Sequence, residues 1–272
     1  MRQPAVAGRF YPRGRDELIE CIDWCFTHPL GPGSPGFCSG AKGIRAAMAP
    51  HAGYVCSGMM AARTYKALAE DGGHDVYVVI GPDHYGTVDS VAMCSDDFLT
   101  PLGVCEVDKG LVEALKGIVP DIPRAHSPEH SVEVQVPFIQ TIDPDARILP
   151  IIMGRQDPDM AEALSSVLSD ACRGLDAVVI ASTDMSHYVP KSKAERDDGD
   201  VMDRVRGMDV DGMYRTVMGR RITMCGYGPT AVAMMFADGC SCDYLGHTDS
   251  YDALGLDPDA VVGYASAVFR KD

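Results

Sequence analysis

No stretch of the 272-residue chain approaches 18 uninterrupted apolar residues, which excludes an ordinary membrane-spanning helix. The segment Met1–Gly8 lacks the apolar core of a secretory signal, so a cytoplasmic location is expected. Basic residues are scarce: 24 Lys and Arg stand against 39 Asp and Glu, for a net charge of −15. A nucleic-acid-binding face needs clustered Lys and Arg, so neither a nucleic-acid nor a membrane partner is expected. Paired CxxC motifs are absent, which removes a zinc ribbon. A GxSxG elbow is missing too, which argues against a Ser-His-Asp hydrolase built on Ser182 or Ser186. No internal repeat, low-complexity tract or linker divides the chain, so residues 1–272 read as one domain.

What is present suits a packed core: 46% of residues are hydrophobic. The ten cysteines, in a chain without a secretory signal, are expected to be reduced. Cys21 and Cys25 lie four apart on a helix face and Cys240 and Cys242 two apart in a strand, both as core packing. Helices are expected over Arg15–Phe26, from a cap at Ser57 through Leu68, from a cap at Asp108 through Leu115, over Pro158–Ala171, over most of Lys191–Val217, and over Pro229–Ala237. Strands are expected at Ile44–Ala49, Val76–Ile80, Val88–Cys94, Leu102–Val107, Arg147–Met153, Ala177–Ala181 and Val261–Phe269. Pro29–Gly43 reads as a surface loop and Arg196–Asp200 as a solvated acidic segment. Strands alternating with helices predict a three-layer α/β/α domain with a mixed, largely parallel central sheet.

Three of the apolar strands end in a histidine. Ile44–Ala49 leads to His51, Val76–Ile80 to His84, and Ala177–Ala181 to Asp184 and His187. Continuous apolar strands belong to buried parallel sheets, whose ligands bind beyond the carboxyl ends of the strands. A metal site or a general acid/base site is therefore the expectation, against the plain alternative of loop histidines bonded to backbone. Pro and Gly around His51 and His84 hold tight turns that can aim an imidazole. Asp83 is a candidate partner for His84 or a cap for its turn. Cys225, in Met224–Thr230, precedes a helix; a helix N-terminus lowers a thiol pKa, which would suit a soft metal or a nucleophile. An inert packed thiol is the alternative. His126–His130 matches H-x-x-E-H, but Pro128 starts any helix there and leaves His126 outside it. His130, Glu133 and Gln135 stay as pocket-lining candidates.

Ordered along the chain, Pro4–Pro12, Pro50–Tyr54, Gly81–Gly86, Thr100–Gly103, Glu129–Gln135, Ser182–Tyr188 and Cys225–Pro229 resemble the Memo family. Its archaeal and bacterial members are called AmmeMemoRadiSam system protein B. The resemblance implies a LigB-like fold, that of class III extradiol dioxygenases, which are non-haem iron enzymes with two histidines and a carboxylate on the metal. It implies His51, His84 and Cys225 as metal ligands, His187 as the acid/base histidine with Asp184 nearby, and iron or copper as the metal. It also implies partners of the radical SAM and AMMECR types, and in animal members a link to cell motility and phosphotyrosine peptides.

Three functions follow as expectations. The first is a metal-dependent redox enzyme, with thiolate in place of carboxylate favouring copper(I). The second is a non-catalytic scaffold using the same pocket for a peptide or small ligand. The third, a metal-free cysteine hydrolase on Cys225 and His187, leaves His51 and His84 without roles.

Overall fold

Val76–Ile80 and Ala177–Ala181 are apolar at every position because both of their faces are covered. Val76, Val78, Ile80, Ala177, Val179 and Ala181 enter one hydrophobic layer, while Tyr77, Val79, Val178 and Ile180 enter the other. That split is what strict alternation of side chains across a strand requires of a buried sheet. The computed structural model describes residues 1–36, 40 and 42–271. Residues 37–39 and 41 of the expected Pro29–Gly43 loop lie outside the described residues.

The strands are β1 (Ile44–Ala49), β2 (Val76–Pro82), β3 (Val91–Met93), β4 (Phe98–Thr100), β5 (Gly103–Val107), β6 (Arg147–Met153), β7 (Ala177–Ser182), β8 (His187–Val189), β9 (Ser241–Asp249) and β10 (Val261–Arg270). The helices are α1 (Arg15–Thr27), α2 (Tyr54–Asp71), α3 (Lys109–Ala114), α4 (Pro123–His126), α5 (Val136–Ile142), α6 (Pro158–Ala171), α7 (Lys191–Arg206), α8 (Val210–Arg220), α9 (Tyr227–Phe236) and α10 (Ser250–Leu254). One ten-stranded sheet runs in the order β4-β5-β6-β2-β7-β1-β10-β8, with β3 on β6 and β9 on β10. The pairs from β5 through β1 are parallel, and antiparallel pairs close both margins. The mixed α/β architecture with helices on both faces is the one expected. No helix among the described residues is long and apolar enough to cross a membrane.

This order places β2, β7 and β1 side by side and parallel, so the chain segments after Pro82, Ser182 and Ala49 emerge together at one edge. Local chemistry differs from expectation at several joints. Helix α2 begins at Tyr54 on Gly53, and Ser57 is inside it, its hydroxyl donating to the Ala52 carbonyl. Asp108 does cap α3 through the Leu111 amide. Lys191–Val217 is broken between α7 and α8 at Gly207–Asp209, where Asp209 caps the second helix.

The acidic run Arg196–Asp200 is solvated only in part: Asp197 and Asp198 are buried, while Arg196 and Gly199 are exposed. Asp197 is matched by Lys193 and Arg220. Asp198 accepts from the Ser186 amide and hydroxyl and meets Nε2 of His247 at 2.8 Å, so it clamps the segment leading into His187.

Glu133, expected at the pocket, lies instead in a buried knot. Its carboxylate accepts from the amides of Ala5 (2.8 Å) and Val6 (3.1 Å) and from the Tyr11 hydroxyl (2.5 Å), and pairs with Arg2. It thereby pins the N-terminal segment that carries Phe10 to the cavity. Removing one partner of a buried ion pair leaves the other charge uncompensated. Glu133→Ala is expected to cost about 3–5 kcal/mol of stability in a urea titration. A midpoint unchanged from the parent chain contradicts the structural role.

Candidate metal centre

The edge formed by β1, β7 and β2 carries four aimed groups. His51 follows β1 through Pro50; its amide donates to Oδ1 of Asp184 at 2.8 Å, and its ring Nδ1 lies 2.9 Å from Oγ of Ser182 at the end of β7. Ser182 has a single hydroxyl proton, given to the Ser131 carbonyl at 2.6 Å, and it accepts from Nε2 of Gln135 at 2.7 Å. With that proton committed, Nδ1 of His51 must be the donor. Its Nε2 is left as a bare lone pair, 3.3 Å from Sγ of Cys225. Burial holds the His51 imidazole well below its ordinary pKa, reinforced by the other pocket histidines, so the ring is neutral.

His84 is fixed by Glu129 rather than by its neighbour Asp83. Its amide donates to Oε2 of Glu129 at 2.7 Å and Nδ1 meets Oε1 at 2.9 Å. The amides of His130 and Ser131 add two further donors at 2.8 Å each. Burial would raise the Glu129 carboxyl, but these hydrogen bonds prevail and hold it at about 2. Asp83 caps the following turn, accepting from the amides of Tyr85, Thr87 and Val88. The backbone at β2 is pressed close: a Cβ on Gly81 would stand 2.2 Å from Oγ of Ser131, the residue that binds the Pro82 carbonyl.

Cys225 arrives on the turn before α9. A Cβ on Gly226 would meet the Ser182 carbonyl oxygen at 2.7 Å, so glycine lets this turn lie against the end of β7. Sγ of Cys225 accepts from the Asp184 amide at 3.1 Å. Burial and the Asp184 carboxylate push the thiol up, the reverse of the lowering expected from a helix N-terminus. A free thiolate nucleophile is therefore not what this environment favours. One ligand atom from each of His51, His84 and Cys225 lies within 4.8 Å of the others. Metal–nitrogen and metal–sulfur bonds of about 2.1 and 2.3 Å reach at most about 4.4 Å between two donors, close to these separations, so the donor set is compatible with an ion.

A second group, His84, Glu129 and His130, has comparable spacing. There Glu129 already accepts four protein donors, and it orients the rings instead of offering free oxygens. His130 stacks on His84 with centroids 4.4 Å apart and lies 3.4 Å through Nδ1 from Glu129. Burial, followed by His84, lowers its pKa to about 4. His187 begins β8; its amide donates to Oγ1 of Thr223 and its Nδ1 meets the Thr223 carbonyl, both at 2.7 Å. Asp184 is buried between His51 and Cys225, and burial raises its carboxyl. His51, His84, His130, Asp184 and His187 line one cavity of about 460 Å³.

Sequence reasoning missed Glu129 and the part played by Ser182. Both act on rings remote in sequence, 45 and 131 residues away respectively. No signal in the sequence marks Glu129 for His84: Pro128 would allow a helix to begin there, and the structure leaves Glu129 outside any helix. His126 of the H-x-x-E-H match ends α4 and points Nε2 at the Ala92 carbonyl, away from the cavity histidines.

A family model described as Memo-like protein matches residues 2–268. A MEMO1 family protein of Methanopyrus kandleri is 41% identical over 281 residues, covering 99% of each chain. One from Methanothermobacter thermautotrophicus is 42% identical over 274 residues, 97% of this chain and 99% of that one. An uncharacterized protein of Escherichia coli K12, solved by crystallography, shares the fold with a TM-score of 0.50 at 12% identity, covering 82% of this chain and 99% of that one. With the family model spanning nearly the whole chain and whole-length relatives near 40% identity, this protein belongs to the Memo family.

Proposed function

We propose that the chain is a metal-dependent redox protein that holds iron or copper through Nε2 of His51, Nε2 of His84 and Sγ of Cys225. The observation that carries this reading is the anchoring of both imidazoles by Nδ1, to Ser182 and to Glu129, beside a sulfur 3.3 Å from one bare Nε2. Ligating histidines commonly have the other ring nitrogen held in this way, because it fixes tautomer and direction. A redox ion held there would supply electron transfer and an open coordination position. Sulfur in place of a carboxylate softens the donor set toward copper(I). Coordination also deprotonates a thiol, offsetting the burial that pushes Cys225 up.

His187 is the group placed to move a proton. Its Nδ1 is held by the Thr223 carbonyl, so Nε2 is the accepting atom at the cavity wall. Asp184 feels the charge of His187 and would stabilise the imidazolium once formed. Gln135 and Ser131 brace Ser182, and so brace the His51 ring against rotation. The proposal carries with it the partner class that the family resemblance implies, a radical SAM or AMMECR-type protein.

Two variants test the centre. In anaerobically purified protein, Cys225→Ala is expected to lower bound iron and copper by at least about tenfold, on the scale of losing a supporting contact or more. Undiminished metal content removes the ligand assignment. Glu129→Gln is expected to weaken metal affinity about 10–100-fold in a competition titration. Parent-like affinity, with parent-like unfolding, shows that Glu129 does not orient His84 for binding.

A further inference from the structure

We infer that a methionine-floored groove between α6, the α7–α8 joint and the end of α9 docks a basic amphipathic helix of a partner protein. The groove has a volume of about 560 Å³ and shares no residue with the histidine-lined cavity, so the metal assignment above does not bear on it.

The floor is apolar and left uncovered. Helix α9 packs against both α6 and α8, and where they meet Met208, Met234, Met235 and Phe236 line the groove. Met208 and Met235 are only half-buried against the core. Thioether side chains are flexible and polarizable, so a floor built of them adapts to apolar groups pressed into it. Met208 is held there at a backbone cost. Its φ of 52° is left-handed, where glycine is the ordinary occupant. The turn closes through the Met208 amide on the Val205 carbonyl and the Asp209 amide on the Arg204 carbonyl. Glycine would close the same turn without strain, and would remove a thioether from the floor.

One wall is a polar stripe on α6. Glu162, Ser165, Ser166 and Ser169 fall at i, i+3, i+4 and i+7, on one helix face over about 10 Å. Side chains as short as serine keep that wall low, and the side chains at a contact set how near two helix axes come. Ser165 is only 5% exposed, yet its hydroxyl has no hydrogen-bond partner among the described residues. A helical serine can satisfy itself on the carbonyl four residues back. This one lines the groove instead, a polar group with hydrogen-bonding capacity to spare.

The charge at the rim has one sign. Glu162 on α6 and Asp238 beyond α9 are exposed, and neither carboxylate has an ion-pair or hydrogen-bond partner among the described residues. Among the described residues no lysine or arginine lines the groove. A second copy of this chain, with net charge −15, would bring like charge to this rim. A helix with an apolar stripe flanked by lysine or arginine meets all three features: anchors one turn apart on the methionines, cations at Glu162 and Asp238, and close approach over the serines.

The test uses three synthetic peptides of about 14 residues, a length able to hold a helix on binding. The first carries leucines at the i, i+3, i+4, i+7 spacing with lysines elsewhere. The second has the same composition in alternating order, and the third is the first with glutamates for lysines. Each is titrated into the full-length chain labelled with 13C at its methionine methyls. The first is expected to bind at least about tenfold more tightly than either of the others, and to shift the methyls of Met208 and Met235 before those of the remaining methionines. Glu162→Lys combined with Asp238→Lys is expected to weaken it at least about fivefold. Asp16→Lys combined with Glu20→Lys, which changes the net charge equally on α1, is expected to leave it within about twofold. Met208→Gly, which suits the left-handed backbone, is expected to weaken binding as well. Equal binding of the alternating peptide, shifts confined to other methionines, binding indifferent to Glu162 and Asp238, or no binding overturns the inference. Shifts at Met208 and Met235 that follow protein concentration without peptide give the groove to a second copy and overturn it too.

Discussion

The centre depends on one hydroxyl proton. Ser182 can donate only once, and it donates to the Ser131 carbonyl. Gln135 and His51 must then both donate to the same oxygen. That count and the neutrality imposed by burial together give the tautomer of His51 and the bare Nε2 that faces Cys225. Glu129 does for His84 what Ser182 does for His51, with a charge in place of a hydroxyl. A ring whose Nδ1 proton is anchored has little freedom to turn, and a site built on anchored rings is formed before any ion arrives.

The sheet makes these local bonds possible. Because β7 lies between β1 and β2 in parallel register, the residues just past their ends come within hydrogen-bond reach although they are 131 residues apart in the case of His51 and Ser182. Close backbone approaches tighten the edge: Gly226 allows the Cys225 turn onto β7, and Gly81 allows Ser131 onto β2. On the outer side Asp198, buried between Ser186 and His247, fixes the segment entering His187. The site is therefore supported from both layers of the fold, which places its groups on rigid elements and not on long free loops.

How far this was legible in the sequence depends on where each partner lies. The β1, β2 and β7 runs were legible because a strand buried on both faces must be apolar throughout. The short β8, only His187–Val189, carries too weak a pattern to stand out, and of the polar β9 only its start, around Cys240 and Cys242, reads as a strand. Asp197 and Asp198 read as solvated because their long-range partners, Arg220 and His247, lie 23 and 49 residues on. The sequence offers Glu133 as the pocket carboxylate and the fold uses Glu129: both lie near His130 in sequence, and only the fold sends one to His84 and the other to Arg2 and Tyr11. The Cys225 thiol was misjudged because burial and Asp184 outweigh the helix terminus.

The most direct measurement is the protonation pattern of the rings. A long-range 15N–1H correlation spectrum of metal-free, 15N-histidine-labelled protein at neutral pH reports which nitrogen carries the proton. The account predicts the Nδ1–H tautomer, with bare Nε2, at His51, and the same at His84 and His187. A proton on Nε2 of His51 would contradict it, because Ser182 could not then be donating to Ser131 and the nitrogen facing Cys225 would have no lone pair to offer.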